Sequence, residues 1–247
     1  MAVRIDRMAG AAAFGLVMLA CACHRQDQPQ SEQRPSLAQA TAAAQVQAPA
    51  PAEDQSPAIL AAFAEYNAAI LAKDGAKAIT LLSKENFDYH EKMLQKAMTA
   101  GLEELNALSG PDRMLAVNLR HKLPLAEARN WSGAQVVQYC IDKGWMTNDS
   151  LKTCRVENIK VDGNRASADY IAEGAAGPLP QVFVKEGKLW KLNEVPKAHA
   201  AIEAIFVNAN MTTVEQQNVA IEQGLKFFSD MPIPDDIWAV PSLPPLK

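Results

Sequence analysis

A chain of 247 residues, 49% hydrophobic and 21% charged with a net charge of −4, can bury a sizeable core without staples and has no basic surplus to hold nucleic acid. A Gln/Ala/Pro-rich segment near the start reduces the folded part to a single domain. The composition divides the chain into residues 1–20, an export signal; 21–56, a linker; 57–230, one α+β domain with a helical extension; and 231–247, a proline-rich tail.

Arg4 and Arg7 precede the apolar run Met8 to Ala20, which is too short to span a bilayer as a mature helix but suits a signal h-region. The run ends in Met18-Leu19-Ala20-Cys21-Ala22-Cys23 and resembles a bacterial lipoprotein signal, in which a small residue precedes a cysteine that is lipidated and becomes the new N-terminus. That resemblance implies lipidation of Cys21, ahead of Cys23, by several acyl chains such as palmitate, which hold far more firmly than one myristoyl group. Met18 stands where leucine is usual, so plain secretory cleavage stays open as the alternative, and both readings export the protein. With Ala22 instead of aspartate after the cysteine, the resemblance implies a periplasm-facing anchor in the outer membrane before the inner one. The tract His24 to Ser56 has almost no large apolar residue and cannot fold alone; about thirty flexible residues reach about 30 Å.

Ser56-Pro57 marks a helix start, with Ile59, Phe63, Asn67, Ile70 and Leu71 on one face, and Asp74-Gly75 ends it. A short helix, Ala76 to Leu82, precedes a long one expected from Lys84 to Leu108, with Phe87, His90, Leu94, Met98, Leu102 and Leu105 in line. His90 on that stripe reads first as a core histidine. Ser109-Gly110-Pro111-Asp112 opens the next helix, and Ser132 with Gln135 forms a capping box for Gly133 to Lys143. Beyond Val195, Pro196 opens a helix, and Thr212 with Glu215 caps another. The tail's Ile233, Ile237, Trp238, Val240 and Leu243 are too apolar to be left together in water and are expected to pack back on the domain.

Between Lys152 and Val195, turn signals at Asp162-Gly163 and Glu186-Gly187-Lys188 predict four antiparallel strands: Arg155 to Val161, Arg165 to Ala172, Gln181 to Lys185 and Leu189 to Leu192. The Asp-Gly pair predicts a type I′ hairpin, and Gly174 to Pro180 a looser connection. Ala166, Ala168 and Tyr170 alternate with Arg165, Ser167 and Asp169, so one face is buried, and its two alanines leave either a hollow or a closely packed helix.

Tyr66-Asn67-Ala68-Ala69-Ile70-Leu71-Ala72-Lys73-Asp74-Gly75, followed by Ala78 to Ser83, and the later hairpin Val182-Phe183-Val184-Lys185-Glu186-Gly187-Lys188-Leu189-Trp190-Lys191-Leu192 are similar to the opening and closing segments of NTF2-like (SnoaL-like) domains. The resemblance covers residues 58–195 and implies a cone, in which a curved antiparallel four-stranded meander wraps a long helix around a pocket. Here that pocket would be lined by His90, Leu94, Ala166, Ala168, Tyr170 and Trp190. The family's catalytic carboxylates and Asp-His pairs match no position here, so no catalytic residue is carried over, and the helices after Val195 depart from the pattern.

Cys140 and Cys154 are the only cysteines beyond the signal region, and in an oxidising compartment they are expected to form a disulfide, the alternative being two buried thiols. His24, His90, His121 and His199 share no metal-ligand spacing, and no glycine-rich phosphate loop or nucleophile elbow stands beyond the signal. The reading is a non-enzymatic, cofactor-free, lipid-anchored envelope protein that binds a small apolar ligand or an envelope partner. The alternatives are a protein-binding module, such as an immunity factor or assembly accessory, and, behind both, a small-molecule enzyme.

Overall fold

The structure is a computed structural model that describes residues 54–147, 149–229 and 231–244; the signal, the candidate lipidation cysteines and the linker up to residue 53 lie outside these. The fold is α+β. The strands β1 (Arg155–Asp162), β2 (Arg165–Ala172), β3 (Ala175–Ala176), β4 (Gln181–Glu186) and β5 (Leu189–Asn193) form one antiparallel sheet in the order β1-β2-β4-β5, with β3 paired to β2. The four expected strands are present. The fifth, β3, lies in the looser connection, where Glu173 and Gly174 both take positive φ.

Asp162 pairs with Arg165, so the first turn is Gly163-Asn164. Of these only Gly163 has positive φ, +58°, which corrects the turn from type I′ to the kind with glycine at its first central position. A register shift between Glu157 and Lys160 marks a bulge at Asn158, whose φ is +51° and whose side-chain amide donates to Asp169 at 2.8 Å.

One helix fills the sheet's inner face. In α1 (Ser56–Leu71), Ile59, Phe63, Tyr66 and Ile70 recur on one face and pack on Ala166, Ala168, Tyr170, Phe183, Trp190 and Leu192. Phe63 meets Tyr170 and Phe183 edge-on, with centroids 6.1 and 6.5 Å apart. The alanines of β2 therefore admit large aromatic neighbours. Gln55 ties the start of α1 to the sheet, accepting from Lys185 Nζ at 2.7 Å and Trp190 Nε1 at 3.1 Å.

Asp74 caps α2 (Gly75–Thr80) by accepting from the Lys77 amide. The following link lies along β5: Leu82 bridges Leu192, the Ser83 amide donates to Leu192 O at 2.9 Å, and the Leu192 amide donates to Leu81 O at 2.8 Å. The β5 edge of the sheet is covered. Buried Asn86 secures this corner, donating to Leu192 O at 2.9 Å and accepting from the Glu194 amide at 3.0 Å.

The single long helix expected from Lys84 to Leu108 is two: α3 (Lys84–Thr99) and α4 (Leu102–Asn106), divided where Ala100 and Gly101 turn extended. The cause comes from α5 (Gly110–Lys122), capped by Ser109. Its buried Arg120 donates to Lys96 O, Ala97 O and Ala100 O at 3.3, 2.8 and 2.6 Å, and to Ile237 O and Ala239 O of the tail at 3.0 and 2.8 Å. One guanidinium thus terminates α3 and holds the C-terminal segment. Ile237 is buried against Ile202, Phe206 and Ile221, and Trp238 Nε1 donates to Glu222 at 2.6 Å.

After the turn α6 (Leu125–Ala128), the Ser132/Gln135 capping box opens α7 (Gly133–Asp142), whose first turn presses on α3; a Cβ on Gly133 would meet Phe87 O at 1.8 Å. A 3-10 turn (Asp149–Lys152) leads into β1. Past the sheet come α8 (Val195–Asn208) and α9 (Val214–Phe228). The α9 cap is Thr213 with Gln216, one residue after the expected Thr212 and Glu215.

Candidate functional site

Helices α5, α8 and α9 enclose a pocket of about 400 Å³, closed by Tyr89 and His90 of α3 and by Cys140, Trp145 and Met146 at the end of α7. Its wall on α5 is Met114, Leu115, Asn118, Leu119 and Lys122, a helical i, i+4, i+8 stripe. The facing wall on α9, Ile221, Gly224, Leu225 and Phe228, repeats at the same period. Gln217 bonds Arg113, and Ser229 lies 2.7 Å from His121 Nε2, so α9 runs beside α5 in the same sense. Ala198, His199 and Ile202 of α8 complete the wall. The lining is mostly aliphatic and aromatic, and apart from Asn118, Glu194 and Ser229 its polar groups sit in two places.

At the start of α5, Tyr89 Oη donates to Asp112 Oδ1 at 3.0 Å, while His199 Nε2 lies 2.7 Å from Tyr89 Oη and 3.1 Å from Asp112 Oδ1. Because the phenolic proton goes to the carboxylate, the nearby imidazole nitrogen carries a proton and donates into the same pair. Burial first, and then the Asp112 charge, raises the Tyr89 phenol well above its ordinary range, so it stays a hydroxyl. The trio can present hydrogen bonds to a ligand but no phenolate base. Beside it, His90 Nδ1 lies 2.7 Å from Asn86 O, which requires the proton on Nδ1 and leaves Nε2 an acceptor. Burial lowers the His90 pKa, and the ring is neutral at pH 7.

At the other end of α5, Lys122 Nζ lies 5.5 Å from the Trp145 ring centroid, and burial lowers its pKa. Burial pushes the neighbouring Cys140 thiol up to about 12, making it a poor nucleophile.

The residues expected around a hollow in the cone do not come together. His90 lines the interhelical pocket, whereas Leu94 is buried among Met93, Leu119 and Val136. Ala166, Ala168 and Trp190 are packed in the sheet core, and Tyr170 borders a void of only about 30 Å³ with Phe63 and Tyr66. The space assigned to the cone's pocket is filled by α1. The expected disulfide is likewise absent. Cys140 and Cys154 are free thiols, Cys140 in the pocket wall and Cys154 accepting from Asn67 Nδ2 at 3.3 Å.

Tyr89, Asp112, Lys122 and His199 escaped the sequence reading because they come from three helices that meet only in the fold. One signal was visible. Gly224 interrupts the interior of α9, where glycine costs about 1 kcal/mol relative to alanine, and such a position calls for a local reason.

No protein-family model, curated protein or solved structure matches this chain. Among the described residues no helix is long and apolar enough to cross a membrane, and no group of three or more His, Cys, Asp or Glu side chains could hold a metal ion.

Proposed function

We propose that this chain is a lipid-anchored envelope protein of non-enzymatic type whose domain carries a small, largely apolar ligand between α5, α8 and α9. The observation behind this reading is the pocket itself, about 400 Å³ and walled by Met114, Leu115, Ile202, Ile221, Leu225 and Phe228, within the size and character of small-molecule sites. The neutral His90, the hydroxyl-bearing Tyr89 and the unreactive Cys140 thiol favour binding over turnover. For residues 58–195 the NTF2-like resemblance is kept as a proposal. The helix laid across a meander supports it, and the filled inner face departs from it. The anchor at Cys21, with the envelope location it implies, is part of the same proposal.

Native mass spectrometry of the purified chain, together with titration by the neutral fluorophore N-phenyl-1-naphthylamine, tests the ligand reading. A bound small molecule or saturable fluorescence is expected, and Ala198→Phe should abolish it by filling the pocket. Absence of both signals overturns the reading. For the anchor, Cys21→Ala should stop lipid labelling and release the protein from membranes; label retained on that variant would move the site to Cys23.

A second reading, docking to an envelope partner, is favoured by the large exposed apolar side chains Val219 and Phe227 of α9 and Met231 just after it.

A further inference from the structure

The pocket's ionised groups are not balanced. Of its lining residues Glu194 is the sole carboxylate, and it is already engaged by Lys197 Nζ at 3.0 Å. Asp112, which lies behind the lining residues Tyr89 and His199, is engaged by both of them. Lys122 is different. It is half-buried, and no carboxylate among the described residues approaches it; its neighbours are the Trp145 ring and the protonated Cys140 thiol. Withdrawn lysines without a counter-ion are rare, because a ring contact such as that of Trp145 offsets only part of the lost hydration. An anion supplied by a ligand would complete the site.

The position of Lys122 sets the shape of that ligand. Asp112 and Lys122 lie at opposite ends of α5, ten residues or about 15 Å apart at 1.5 Å per residue. Between them Met114, Leu115, Leu119 and the facing Ile221, Leu225 and Phe228 offer apolar surface, interrupted by the Asn118 amide, which donates to Met114 O at 2.8 Å.

We propose that the pocket binds an elongated acidic amphiphile, its carboxylate on Lys122 and its apolar body lying along α5 and α9 toward Tyr89 and His199. This inference rests on the reading of the pocket as a ligand site. It identifies the ligand as a monoanion with an extended hydrocarbon or fused-ring body. A neutral lipid would leave Lys122 with no carboxylate partner among the described residues.

Displacement of N-phenyl-1-naphthylamine from the purified full chain by dodecanoate and by dodecan-1-ol tests it, since the two differ in charge and little in length. Dodecanoate is expected to displace the dye at about tenfold lower concentration, the margin of one charge-assisted hydrogen bond. Lys122→Met should erase that margin, and Lys122→Arg should keep it; melting curves of both variants check that the fold is retained. Equal displacement by acid and alcohol, or a margin that survives Lys122→Met, overturns the assignment of the acid end while leaving the pocket reading intact. If the dye itself fails to bind the parent chain, the pocket reading falls and this inference falls with it.

Discussion

The two faces of the domain solve the same packing problem in opposite ways. On the sheet side, Phe63, Tyr170 and Phe183 interlock over the small alanines of β2 and leave a void of about 30 Å³. On the helical side, α5, α8 and α9 stand far enough apart to leave about 400 Å³. Small residues in the sheet made room for aromatic rings, whereas the large residues lining the helices did not close their gap. A hollow therefore follows from how elements are spaced and not from the size of the residues along one strand.

Substitutions on either side can break this contrast. The largest effect is expected at Phe183, fully buried in the sheet core, where alanine should cost about 3–5 kcal/mol, read as a drop in the denaturation midpoint. Arg120→Met follows, at about 3 kcal/mol, because it strands several carbonyls of α3 and the tail; circular dichroism during urea unfolding would measure it. A paired comparison is sharper. Ala168→Leu should cost about 1–3 kcal/mol by overpacking, whereas Ala198→Leu, facing the pocket, should cost less than about 1 kcal/mol and weaken binding of the dye. Equal costs would mean that the helical side is as closely packed as the sheet side.

The smallest effect concerns acid. Burial lowers the pKa of His90 and of His121 below the unfolded value of about 6.5. Above that value neither folded nor unfolded chain holds the proton, and the contribution of these rings to stability is fully present. As pH falls below about 6.5 the unfolded chain takes up protons that the folded chain refuses, and stability declines toward the lower folded pKa values. Urea midpoints between pH 7.5 and 5 should show this decline, and His90→Gln should flatten part of it.

Much of the fold was legible. Ser109 with Asp112 and Ser132 with Gln135 announced two helix starts, and two glycine turns announced the hairpins, because caps and turns are local chemistry. The break at Ala100-Gly101 was hidden, since Met98, Leu102 and Leu105 continue the apolar stripe across it, and its cause, Arg120, lies on another helix. The pocket was less legible still. His90 was readable as an inward histidine, but Lys122 and His199, which line the same pocket, are surface-type residues in their own helices. Only the meeting of α3, α5 and α8 turns them inward.

Arg120 has a consequence for the order in which the chain is made. Its Nη1 atom bonds the carbonyl of Ile237, 117 positions later. The helices α3 and α5 are available long before, yet a nascent domain holding them together would carry a guanidinium with part of its hydrogen bonding unmet. At about 5–20 residues per second, the delay between Arg120 and Ile237 is about 6–23 s. This packing step therefore waits until Ile237 has been made, and a product that stops short of Ile237 should remain in the more open, protease-sensitive state of an unfinished one.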